Sequence, residues 1–138
     1  MFRNNFDEIA GVITDSGNMD MGATIDYRGS LEDLPIIPVP VPTTMAWVAK
    51  FFTSLRIGVN WKSLDYIEDS SRSLRVPVLA IHGTDDESIP IDQSIALEEQ
   101  QPELVELWTV PGAGHVDSFN TDYDGYVSHV LAFLSEVS

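Results

Sequence analysis

Apolar residues along the chain fall into short runs and into helix-spaced stripes. Ile9 to Thr14 is a short apolar run ending at the polar turn Asp15-Ser16-Gly17-Asn18, and reads as a strand. Val76 to His82 is almost continuously apolar and closes at Gly83, the pattern of a strand buried on both faces. Leu104 to Val110 is rich in branched and aromatic residues and stops at Pro111-Gly112, which predicts a third strand. Pro77 suits the very start of its strand, where a missing N–H costs little.

Helices are expected between and after these strands. Thr43 or Thr44 can cap a helix from about Met45 to Leu55, with Trp47, Val48, Phe51, Phe52 and Leu55 as its apolar positions. Asp92 can cap a second over Gln93 to Gln100, ended by Pro102. In the last, Val127, Val130, Leu131 and Leu134 fall at i, i+3, i+4 and i+7, with Tyr126, Phe133 and Val137 widening the stripe. Met19 to Pro42 looks irregular. Its prolines 35, 38, 40 and 42 alternate with Ile and Val and favour an extended surface segment. No repeat or linker divides residues 1–138, so one domain is expected, and the strand–helix alternation after residue 76 predicts an α/β fold with parallel strands and right-handed crossovers.

Composition narrows the function classes. With 138 residues and 43% hydrophobic content the chain is long enough to bury a core. Its 22 acidic and 7 basic residues leave a net charge of -15, which argues against a nucleic-acid or anionic-membrane partner. All seven Lys and Arg lie in the first 75 residues, and the last 63 carry -12, read as a solvated acidic face. No run approaches the ~18 to 20 apolar residues of a membrane span, and no charged-then-apolar leader opens the chain; the compartment stays open. The absence of cysteine excludes disulfides, thiolate metal sites and a cysteine nucleophile.

Chemistry concentrates in two loops that follow strands at their carboxyl ends, where open α/β sheets place their sites. The first runs from His82 through Asp85 and Asp86 to Pro90, the second from Val110 to His115. A carboxylate after one strand and a histidine after the next can meet above the sheet. An imidazole whose Nδ1–H is held by a buried Asp keeps its other nitrogen free as a general base.

The pattern His82-Gly83-x-x-Asp86-x-x-Ile89-Pro90, followed by Gly112-x-Gly114-His115, resembles the C-terminal half of an α/β-hydrolase. Gly11 to Ser16 is similar to the strand after the nucleophile helix in esterases, lipases and proline-type aminopeptidases. Residues 19–64 resemble that family's lid region, and 76–138 its acid loop, histidine loop and closing helix. The resemblance implies a truncated fold of about three parallel strands, with Asp86 as triad acid and His115 as triad base. Asp85 competes with Asp86, since the loop offers adjacent carboxylates, and Asp15 is a remoter candidate. His82 is expected to pack in its loop and His129 to sit on the polar side of the last helix.

The nucleophile elbow Gly-x-Ser-x-Gly occurs nowhere in the sequence, and Ser16 and Ser30 lack its flanking glycines. In that family the serine precedes the acid, so it is expected upstream of Ile9. The chain is then expected to supply Asp and His to a serine hydrolase acting on an ester or peptide substrate, and to be inactive alone. The alternative is a non-catalytic remnant, or a subunit that self-associates or completes its sheet with an N-terminal half or another chain. No cofactor is expected. Asn120-x-Asp122-x-Asp124-Gly125 imitates the first half of a calcium loop, but its twelfth position is Leu131 rather than Glu, so an acidic cap on the last helix is expected and no metal.

Overall fold

A computed structural model of the chain describes residues 9–31, 33–34, 37–40, 43–67 and 74–138. In chain order its elements are β1 (Val12–Asp15), α1 (Met21–Leu31), the short strands β2 (Asp33–Leu34) and β3 (Ile37–Pro40), α2 (Thr43–Ile57) and a 3-10 turn at Trp61–Leu64. There follow β4 (Val78–Gly83), α3 (Asp92–Gln100), β5 (Val105–Val110), the single-turn α4 (Ser118–Thr121) and α5 (Tyr123–Glu136).

β4 lies between β1 and β5, and all three strands are parallel. Val78 pairs with Val12 on one side and Val105 on the other. All six residues of β4 are buried, which is why its sequence is continuously apolar instead of alternating. Successive side chains still point to opposite layers. Leu79 and Ile81 pack with Val110, Ala113 and Phe133 of α5, whereas Val78 and Ala80 pack with Val105 and Leu97 of α3. Each such large side chain contributes about 1.5–3 kcal/mol relative to exposure.

Several expectations need correction. The irregular stretch expected from Met19 contains the 11-residue helix α1, and among its described residues Asp33–Leu34 and Ile37–Pro40 are extended, the latter as the prolines suggested. Helix α1 owes its place to tertiary bonds. The buried amide of Gln93 accepts from the N–H of Met19 (2.9 Å) and Asp20 (2.8 Å) and donates to Asp20 O and Thr24 Oγ1. Asp20 Oδ1 in turn accepts from Ala23 N, as a helix N-cap does. Asp92 is the first residue of α3 and not its cap, because Ile91 already has helical φ and ψ. On α5 the face toward the core is Tyr126, Val130 and Phe133, continued by Val137 just after the helix, while Leu131 and Leu134 are exposed. The stripe on α2 also points outward: Trp47, Phe51, Phe52 and Leu55 are exposed, and the helix is anchored instead through Lys50, whose Nζ lies 2.6 Å from Asp26 Oδ2.

Candidate active site

β4 and β5 end side by side, and their following loops are stitched together by backbone contacts. Thr84 N donates to Val110 O and Asp85 N to Ala113 O, both at 3.0 Å, and Gly112 N donates to Thr84 Oγ1 at 2.8 Å. Gly83 is required at this seam. A Cβ there would stand 2.2 Å from the carbonyl oxygen of Ala113, so only glycine lets the second loop close over the first.

This closure brings Asp86 to His115. Asp86 is 5% exposed, and its Oδ1 accepts from the N–H of Ser88 (2.7 Å) and Ile89 (2.9 Å). Its Oδ2 lies 2.9 Å from His115 Nδ1 and 3.5 Å from Nε2 of His82. Burial by itself would raise the Asp86 pKa, but hydrogen bonds from the Ile89 amide, His115, the Ser16 hydroxyl and the Ser88 amide outweigh it and hold the carboxyl below its ordinary range. Asp85 is exposed and takes its hydrogen bond from Thr84 Oγ1, so it is Asp86 that reaches the imidazole.

The His115 side chain is 42% exposed, and its Nε2 has no protein partner among the described residues. A neutral ring that donates Nδ1–H to the carboxylate carries its free lone pair on Nε2, facing outward. In that tautomer the ring can accept a proton, and the carboxylate stabilises the imidazolium that forms.

The remaining candidates are occupied elsewhere. His82 is fully buried, with Nδ1 2.7 Å from Ser94 Oγ and Nε2 3.1 Å from Ile89 O, so it braces the Asp86 loop from below. Asp15 accepts from Ser118 Oγ at 2.9 Å. His129 stacks on Trp108 with ring centroids 4.4 Å apart. Ser30 lies within α1, and Ser16 directly follows β1 with φ 54°. Asp122 caps α5 by accepting from Gly125 N. Asp20, Asp26 and Asp65 line a shallow cavity of about 250 Å³, but Lys50 sits among them. No cluster of three or more His, Asp or Glu suited to a metal ion exists among the described residues.

The sequence reading overlooked the contact of His82 and Ser16 with Asp86. For Ser16 a signal existed: it ends a strand that pairs with β4, and its N–H continues the ladder to Ile81 O at 2.9 Å, beside the Asp86 loop.

No family model matches the chain. Over 44 residues it is 48% identical to an alpha/beta hydrolase domain-containing protein, aho-3, of Caenorhabditis elegans, covering 32% of this chain and 13% of that one. Over 67 residues it is 39% identical to alpha/beta hydrolase domain-containing protein 17C of Mus musculus, covering 49% and 20%. Among solved structures, esterase Pf2001 of Pyrococcus furiosus superposes on 96% of the chain with a TM-score of 0.60 at 21% identity, and Est1E of Butyrivibrio proteoclasticus on 95% with 0.53 at 20%. Those alignments span 46% and 52% of the esterases, so the chain matches about half of each solved relative and about a fifth or less of the curated ones.

Proposed function

Because this chain has the fold of an α/β-hydrolase and corresponds to the C-terminal part of that family's domain, we propose that it supplies the acid and base of a serine hydrolase acting on ester or amide bonds. The observation that carries the reading is the 2.9 Å contact between buried Asp86 Oδ2 and His115 Nδ1, on a ring whose Nε2 has no protein partner among the described residues. In the reaction, His115 Nε2 takes the proton of an attacking serine hydroxyl and later returns it to the leaving group. Asp86 holds the ring in the required tautomer and stays ionised throughout. The nucleophile and the oxyanion donors would come from outside the 138 residues, since no Gly-x-Ser-x-Gly occurs within them.

The test has two arms. The 138-residue chain should leave aryl esters at the background rate and should not be labelled by an organophosphonate. A longer product of the same gene, read from an in-frame upstream Gly-x-Ser-x-Gly, should hydrolyse them and lose at least about 10³-fold in kcat on His115→Gln. An active longer product indifferent to that substitution, or labelling of a serine in the short chain, overturns the reading.

A further inference from the structure

Ser16 lies 100 residues from Val116 in sequence, yet its Oγ accepts from the Val116 N–H at 3.2 Å. The same hydroxyl is among the groups that hold the Asp86 carboxyl below its ordinary range. One hydroxyl can do both, having one hydrogen to donate and lone pairs to accept. Ser16 is 4% exposed and has φ 54°, and Val116, next to His115, has φ 55°. Both are in the left-handed region that disfavours side chains, and glycine would occupy it without strain. What serine adds there is the hydroxyl. A second tie, from Ser118 Oγ to Asp15 Oδ1, fastens the end of the histidine loop to the end of β1.

We propose that Ser16 is a positioning residue whose hydroxyl, at the end of β1, holds Asp86 on one side and the backbone after His115 on the other, fixing both partners of the acid–base pair. Asp86 Oδ1 is already committed to the Ser88 and Ile89 amides. Loop contacts therefore orient one oxygen, and His115 meets the other at 2.9 Å. The other titratable side chain against the carboxylate is His82, which is held by Ser94 and Ile89 and does not reach the histidine loop's backbone in any hydrogen bond among the described residues. The inference rests on the acid–base reading of the Asp86–His115 pair.

Ser16→Ala removes the hydroxyl and keeps the strained backbone; Ser16→Gly removes both. In the 138-residue chain each variant is expected to move the Asp86 carboxyl titration upward, because a donor to the charged form is lost. Each should also speed hydrogen exchange of the Val116 amide by roughly five- to tenfold. Circular dichroism of Ser16→Gly, free of backbone strain, reports that the fold is retained. A glycine variant matching the wild type in both readouts would show that Ser16 acts through its backbone alone and would overturn the proposal. So would an effect confined to the alanine variant. Failure of the underlying reading looks different: the low-field Nδ1 proton resonance of His115 would then be unmoved by Asp86→Asn, whichever residue stands at position 16.

Discussion

Asp86 joins its own loop to the next with a single carboxylate, and its ionisation is therefore part of the folding free energy. Its pKa in the folded chain lies below the ordinary 3.8. A depressed carboxylate stabilises the folded state at every pH above the unfolded value, and that stabilisation disappears as pH falls through the folded value. Asp86→Asn keeps the shape and removes the charge that His115, Ser16 and two amides contact. The variant is expected to be less stable than wild type by about 1–3 kcal/mol at pH 7. The gap should narrow below about pH 4, where the wild-type carboxyl also becomes neutral. Urea midpoints taken at fixed protein concentration from pH 7 to pH 3 measure this. A gap independent of pH would mean that the charge contributes nothing.

At the scale of elements, one contact joins the two loops of the site and another fastens α1 to α3. The first is the seam between the β4 and β5 loops. Adding a methyl at Gly83 drives it into the Ala113 carbonyl, a backbone atom that cannot turn aside. Gly83→Ala is therefore expected to cost about 2–4 kcal/mol and to separate His115 from Asp86. Loss of the low-field Nδ1 proton resonance of His115 would register the separation; an unchanged resonance would show that the second loop can shift as a unit. The second contact is Gln93, whose amide uses both ends against the start of α1. Gln93→Ala leaves four polar groups on residues 19–24 without this partner. Amide exchange should then rise in α1 and stay slow in β4 and β5. Uniform exchange across both regions would show that α1 and the sheet open together.

At the scale of the molecule, apolar surface and backbone stay uncovered among the described residues. β1 pairs with β4 on one side only, and among the described residues no strand meets its other edge. That edge, Val12 to Asp15, has neither Lys nor Pro to blunt it. On α2, Trp47, Phe52 and Leu55 are each more than 60% exposed, so a contiguous apolar face adds to the uncovered surface. The net charge of -15 opposes association but pairs no N–H groups. The 138-residue chain is expected to self-associate, with protection from exchange strongest from β4 onward. Sedimentation showing a monomer at all concentrations, with β1 amides as protected as those of β4, would contradict this.

The apolar run of β4, the branched run of β5 and the two loops between which Asp86 and His115 meet were readable directly, because a strand buried on both faces writes itself as consecutive apolar residues. So was an acidic cap on the last helix, left open between Asp122 and Asp124, which the structure places at Asp122 through a local bond between residues three apart. Three features were decided only by tertiary structure. That Asp86, the acid the resemblance already favoured over Asp85, meets His115 depends on the seam that closes the second loop over the first. Helix α1 lies in a stretch read as irregular from the prolines that follow it, and Gln93, far along the chain, holds the two residues that lead into it. The buried stripe of α5 and the outward face of α2 depended on where neighbouring layers lay. An amphipathic pattern states that a helix has an apolar side, but only packing decides which apolar residues are covered.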